Sequence, residues 1–270
     1  MMIPRDREPA PPEVFLEEAQ RIVDVLEENG IVARVMGAVA IRLHSMDFAD
    51  LHKRLERLGP GQPEFSDLDF MTYSKHRKNL RKIMEKELGY ICDLRILHLA
   101  GWKRHIYYHK KWDFHVDFFF DKLEMAHDID FRGRLEVDRP TIPLAEMLME
   151  KLQIVQINEK DIKDSIVLLR AHQIGNHDDD VINATRIATV LADDWGFWYT
   201  ATTNLNKIKV FAQKYKENGL LSEEDLKDVT SKVDQLLKII DETPKTKRWR
   251  KRAKQGTKKK WYRDVEEVVR

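Results

Sequence analysis

The chain has 270 residues, 34% of them charged and 9% aromatic, with a formal net charge of +1 and a single cysteine, Cys92. Such a chain is long enough for one large core or two smaller ones, its composition is that of a soluble globular protein, and its one cysteine cannot pair within the chain. No apolar run is long enough to span a bilayer. The lead-in "MMIPRDREPAPPE" has no apolar core of a signal peptide and reads as a frayed, Pro-rich start. A cytoplasmic protein is therefore expected, with Cys92 in core packing rather than acting as a nucleophile.

In chain order, "PPEVFLEEAQRIVDVLEENG" opens with Pro, spaces Phe15, Ile22, Val23 and Leu26 at helical intervals and stops at Gly30. "IVARVMG" reads as a short strand ending in Gly37, and "AVAIRLHS" as a short helix. Residues 46–65 read as irregular, with "LGPGQPEF" as a loop. "SDLDFMTY" is a strand, and "SKHRKNLRKIMEKELGY" a helix capped by Ser74 and closed by Gly89. "YICDLRILHL", "KRHIYYHK" and "WDFHVDFFFD" follow as three strands, expected to form antiparallel hairpins after a mixed start. From Pro143 the pattern is helical: "PLAEMLMEKLQIVQI", "EKDIKDSIVLLRAH", "VINATRIATVLADDWGFWYTATTNLNKIKVFAQKY" and "SEEDLKDVTSKVDQLLKII" each carry one apolar stripe. The expected organisation is an α+β domain over 12–140, a helical domain over 141–242 and a basic tail over 243–270.

The charge is unevenly spread. Residues 245–263 hold eleven Lys or Arg and no Asp or Glu, which leaves 36 basic against 46 acidic residues elsewhere. With Trp249, Trp261 and Tyr262 interleaved, the tail suits tracking a phosphate backbone and stacking bases. It would also suit folding back onto the acidic body, or remaining a disordered segment. Nucleic-acid contact, with RNA as the partner, is the reading favoured.

The chemistry concentrates in two strands. Residues two apart on a strand share a face, so Asp67 and Asp69 point together while Leu68 and Phe70 point away. In "WDFHVDFFFD", Trp112, Phe114, Val116, Phe118 and Phe120 form one apolar face, and Asp113, His115, Asp117, Phe119 and Asp121 the other. If the strands are neighbours, Asp67, Asp69 and Asp117 converge. Such a carboxylate cluster needs a hard cation, and Mg²⁺ takes oxygen ligands together with substrate phosphates. Mn²⁺ fits the same ligands. D-x-D alone is common on solvated strands. The added acid on a second strand and Gly37 before a helix, whose N-terminus can meet phosphate, strengthen the metal reading. His115 reads first as a packed, hydrogen-bonded histidine. "HQIGNH", from His172 to His177, lacks strong metal-ligand spacing and reads as a loop. Trp195, Trp198 and Tyr199 read as interdomain core, with Asp193 and Asp194 as candidate contacts.

The ordered set "VMGAVAIRLHS", "SDLDF" and "FHVDFFF" resembles the DNA polymerase β-like nucleotidyltransferase superfamily, and "PTIPLAEMLMEKLQIVQINEKDIKDSIVLL" resembles the helical part of its minimal, abortive-infection-type members. "LADDWGFWYTATTNL" resembles an uncharacterised branch of that group. The resemblance spans about residues 12–210. It implies a nucleotidyltransferase-like mixed sheet with flanking helices, followed by a helical domain, and transfer of a nucleoside monophosphate from an NTP to an acceptor with Mg²⁺. Asp67, Asp69 and Asp117 would hold the metals, with Asp117 also positioning or activating the acceptor hydroxyl. Gly37 would admit the phosphates and Ser45 would contact them. Lys151 would meet the triphosphate, with Lys160, Asp161 and Asp164 matching a Lys-Asp-x-x-Asp stretch. Two features depart from the pattern: Gly37-Ala38 stands where Gly-Gly or Gly-Ser is usual, and "DFADLHKRLERLGPGQPE" lengthens the gap from Gly37 to Asp67. A non-catalytic nucleotide- or RNA-binding protein on the same fold, or a toxin-type enzyme acting on tRNA, are the alternatives. The sequence specifies neither the NTP, the acceptor nor the oligomeric state.

Overall fold

The β-branched and aromatic runs build a five-stranded sheet, and the helical stripes cover it or pack on one another. The computed structural model describes residues 7–265. Its strands are β1 (Ala33–Met36), β2 (Asp67–Thr72), β3 (Ile91–Cys92), β4 (Arg104–Tyr108) and β5 (His115–Phe120), in the spatial order β1-β2-β5-β4-β3. β2 and β5 run parallel, while β1–β2, β5–β4 and β4–β3 are antiparallel. The expected hairpins exist around β4, but β5 also reaches back to β2 in parallel. Sequence periodicity does not encode that pairing. One sheet face is closed by Leu68, Phe70, Val116 and Phe118, all fully buried, with Phe70 and Phe118 stacked at 4.9 Å. Each such phenylalanine contributes about 2–3 kcal/mol by leaving water.

The chain forms two compact units. One holds the sheet and comprises residues up to Leu43, Leu58–Leu123 and Asp130–Ile142; the other comprises His44–Arg57, Glu124–Ile129 and the chain from Pro143 onward. In the first, α1 (Pro12–Glu28) buries Phe15, Ile22, Val23 and Leu26 as its spacing predicts. α2 (Gly37–His44) comes after β1. The lead-in lies partly outside the described residues. From residue 7 it is not frayed: the Glu8 amide donates to the Lys111 carbonyl at 3.0 Å, and Arg7 pairs with Asp113 at 2.7 Å.

Three local readings are corrected. Residues 46–65 are not all irregular, because α3 (Ala49–Leu55) buries Leu51 and Leu55 before Glu56 turns left-handed at φ 45°. The helix predicted from Ser74 begins as α4 (Arg77–Lys86) after a 3₁₀ turn; the Ser74 amide is taken by the Asp121 carboxylate at 2.9 Å, and its hydroxyl is not the cap. "YICDLRILHL" is a strand only at Ile91–Cys92. Asp93 then accepts hydrogen bonds from the amides of Arg95 and Ile96 and starts α5 (Leu94–Ala100). Carboxylate capping decides that switch, over the β-propensity of the isoleucines.

The second unit is helical: α6 (Leu144–Leu152), α7 (Glu159–Ala171), α8 (Ala184–Asp193), α9 (Trp195–Glu217), α10 (Glu223–Glu242) and α11 (Lys247–Ala253). The long stretch read as one helix from residue 181 breaks at Asp194. The Asp194 side chain accepts from the Phe197 amide and caps α9. Ser222 and Asp225 form a reciprocal capping box for α10. Among the described residues no helix is long and apolar enough to cross a membrane.

Candidate functional site

The register of the parallel pair sets the geometry. Asp69 stands directly opposite Asp117, and Asp67 opposite His115. Adjacent strands lie about 4.8 Å apart, so the two carboxylates project from neighbouring positions on one face. Asp117 is almost fully buried, whereas the Asp67 side chain is 35% exposed, so the cluster opens to solvent from the Asp67 end. The His115 Nε2 lies 3.5 Å from an Asp117 oxygen and 3.9 Å from an Asp67 oxygen. The hairpin partner β4 sets Arg104 on the same face, where its guanidinium donates to Asp117. Burial pushes the Asp117 carboxyl up, but hydrogen bonds from His115 and Arg104 outweigh it and hold the group below the usual carboxylate range. Asp117 is thus ionised in a dry place.

Gly37 closes the site from the end of β1. It has φ +71°, and a β-carbon there would lie 3.0 Å from the Asp69 Oδ2. Glycine therefore lets the turn into α2 press against Asp69. In donor chemistry the set is what a hard dication takes, carboxylate oxygens alone, with two of the acids opposite each other in register. Asp67, Asp69 and Asp117 would hold it. Arg104 was not anticipated. Its signal is a cation sharing a strand face with Ile106 and Tyr108, and it becomes interpretable only with the β4–β5 register.

The other predicted residues lie in the second unit. Lys151 is buried, with its ammonium 3.1 Å from an Asp161 oxygen and 2.9 Å from an Asp164 oxygen. Arg57 adds a second cation, its Nε 2.8 Å from Asp164. Burial pushes the Lys151 amine down, and Asp164 then Asp161 more than reverse it, so its pKa is raised. Burial raises Asp164, and Lys151 and Arg57 bring it below the ordinary range. The structure thus joins Lys151, Asp161 and Asp164 in one closed ion-pair cluster, while Lys160 is exposed. A phosphate reaching Lys151 must displace a carboxylate. Ser45 is also buried, at the start of a 3₁₀ turn, and its hydroxyl makes no hydrogen bond among the described residues. The Cys92 thiol is buried and pushed up to about 11, which leaves it inert as a nucleophile.

Of the three arrangements open to the tail, its described residues, to 265, adopt the folded-back one. Trp249 packs edge-on against Trp198 and Trp261 against Tyr199, each at 5.1 Å, and the Arg252 guanidinium covers Trp195 at 4.8 Å. Arg248 pairs with Asp193 at 3.0 Å, so that acid holds the tail. A β-carbon at Gly196 would meet the Trp261 carbonyl at 2.4 Å, so glycine is needed where the tail crosses α9. Trp195, Trp198 and Tyr199 are thereby assigned to seating the tail. Lys247, Arg250, Lys251, Lys254, Lys258 and Lys259 are exposed. Beside them a cavity of about 500 Å³ is lined by Trp195, Trp261, Lys251 and Lys259 among others.

Comparison of the chain with protein-family models, curated proteins and solved structures gives no match.

Proposed function

We propose that the protein is a metal-dependent nucleotidyltransferase that moves a nucleoside monophosphate from an NTP to a hydroxyl or phosphate acceptor. The observation that carries this reading is the facing of Asp69 and Asp117 across β2 and β5, with Asp67 at the open end and Gly37 against Asp69. The sheet order β1-β2-β5-β4-β3 supports a nucleotidyltransferase-like arrangement. A bound Mg²⁺ or Mn²⁺ would neutralise charge on the triphosphate and stabilise the attacking and leaving oxygens. Asp67 and Asp69 would hold the nucleotide side of the site. Asp117, kept ionised by Arg104 and His115, would orient the acceptor oxygen toward the α-phosphorus. A new bond then forms from that oxygen to phosphorus, the bond to the bridging oxygen breaks, and pyrophosphate leaves. The acceptor hydroxyl's proton would pass to the Asp117 carboxylate that orients it.

Arg104 on Asp117 favours a second reading, a nucleotide- or RNA-binding protein without catalysis, because the guanidinium already compensates one acid. Isothermal titration of each NTP with and without Mg²⁺ separates the two. Metal-dependent binding of an NTP, abolished in Asp67→Asn/Asp69→Asn, supports the transferase. Binding of none, or binding indifferent to metal and to the substitutions, leaves the second reading.

The outward cations of the tail support RNA, tRNA in particular, as partner or acceptor. Removing the tail would strip cover from Trp195 and Trp198, so charge substitutions are the cleaner test. Lys251→Gln/Lys254→Gln/Lys258→Gln should lower the salt slope of RNA binding by roughly 0.7 for each phosphate no longer neutralised. An unchanged slope would remove RNA from the proposal. The buried free thiol of Cys92 accords with a reducing, cytoplasmic setting.

A further inference from the structure

His172 follows α7, and the chain then closes a tight loop on itself. The Ile182 amide donates to the Gln173 carbonyl at 2.9 Å, and Ile174–Gly175 pair in parallel with Ile182–Asn183. A β-carbon on Gly175 would come within 2.6 Å of the Val181 side chain, so the loop is fixed by packing. The three consecutive acids inside it are not equivalent. Asp178 is held by the Asn183 amide at 3.1 Å, and the Asp179 amide donates to His177 at 3.2 Å. Asp180 takes a left-handed turn at φ 52° and brings its carboxylate to 3.4 Å from the His172 Nδ1. His44, the last residue of α2, presents its ring edge-on to His172 with centroids 5.6 Å apart.

We propose that His44, His172 and Asp180 form a binding site for a first-row transition dication of the Zn²⁺ type, separate from the carboxylate cluster. One ligand atom from each of the three lies within 4.8 Å of the others. In a tetrahedral shell with bonds of about 2.05 Å, ligand atoms stand about 3.3 Å apart. The His172–Asp180 separation already has that value. The remaining distances need to close by at most about 1.5 Å, which rotation of the exposed Asp180 and the half-buried His44 side chains can supply. His172 is buried, which fixes its ring with Nδ1 beside Asp180.

Donor chemistry separates this site from the other. Two imidazoles and one carboxylate suit Zn²⁺ and its neighbours, whereas Mg²⁺ prefers oxygens alone. Three protein ligands leave a fourth position for water or an incoming group. The ligands come from positions 44, 172 and 180, so the ion would tie His44 to the loop after α7.

The test uses the full chain stripped with a chelator, then titrated with Zn²⁺ against a chromophoric competitor and, in parallel, with Co²⁺ read by its visible absorption. One equivalent of Zn²⁺ is expected, with a tetrahedral Co²⁺ spectrum and no competition from excess Mg²⁺. Asp180→Ala lies on an exposed side chain and should fold normally, as a metal-free melt would verify. It should weaken Zn²⁺ at least tenfold, and His44→Ala likewise, while Asp69→Asn should not. Failure to bind Zn²⁺, equal binding by Asp180→Ala and His44→Ala, or loss of binding in Asp69→Asn instead would each overturn the site.

Discussion

The acid cluster on β2 and β5 and the ion-pair cluster joining α6 to α7 use the same residue types in different proportions. Around Lys151, two cations meet two carboxylates, the groups are buried, and each acid has a basic partner. On the sheet, Arg104 and His115 lie beside Asp117, His115 also lies near Asp67, and one end is open. A balanced, closed cluster serves the fold. An acid excess facing an opening leaves charge that a bound cation would offset. The balance of charges around each site, read with its exposure, separates the two roles better than the residue types do.

The largest effect should come from breaking the open cluster. Under the proposed function, Asp69→Asn lowers nucleotidyl transfer by about four orders of magnitude, some 5–6 kcal/mol of transition-state stabilisation. The same substitution should leave thermal stability unchanged or raise it slightly, because it relieves carboxylate repulsion. Transfer assays and a melting curve on one preparation check both. A drop in stability equal to that from a buried ion pair would place Asp69 with the structural cluster.

Breaking the closed cluster should do the reverse. Lys151→Met leaves Asp161 and Asp164 buried beside Arg57 alone and should cost about 3–5 kcal/mol in denaturant unfolding. NTP affinity measured at a temperature where the variant is folded should stay within a few-fold of wild type. A large selective loss of affinity would instead return Lys151 to the triphosphate role expected from the sequence.

These contrasts also show what the sequence could express. The alternation in "SDLDF" and "FHVDF" put Asp67, Asp69 and Asp117 on defined faces, because strand period is local. Which strands become neighbours is not local: the parallel β2–β5 pair, and Arg104 on Asp117, depend on a register that no window of residues contains. Asp93 shows the limit at short range, where one capping carboxylate overrode an apolar run. His44 and His172 lie 128 positions apart, so no spacing rule could join them. The tail's composition showed cations, while its aromatic anchors became meaningful only against α9.

Acid distinguishes the regions in another way. Burial holds both His105 and His127 down to about 4, with His105 beside the Tyr107 hydroxyl at 3.0 Å and His127 beside the Thr200 hydroxyl at 2.9 Å. In the unfolded chain these rings protonate near 6.5, so between 6.5 and 4 the unfolded state binds protons that the native state refuses. Stability should fall as pH drops through that window, by roughly 3 kcal/mol for each ring at its lower end. Asp117 and Asp164, whose folded pKa values are depressed, add a further loss below the ordinary carboxylate range. His127→Gln should flatten the upper window, and Asp67→Asn should leave it alone. Urea melts across pH test both.

The smallest change addresses how the open cluster is framed. Gly37 sits at φ +71° with Asp69 3.0 Å from where a β-carbon would be. Gly37→Ala incurs a left-handed backbone penalty of about 1 kcal/mol. It also pushes the Asp69 carboxylate by a few tenths of an ångström. For a packed turn the first effect is the whole cost, and function falls only in step with stability. For a phosphate-facing turn the displaced ligand matters more, because a metal shell tolerates little misplacement. Metal-dependent NTP affinity should therefore drop at least tenfold for that modest destabilisation. Parallel losses in the two measurements would make Gly37 a turn residue, and would leave Asp69 and Asp117 to carry the site without it.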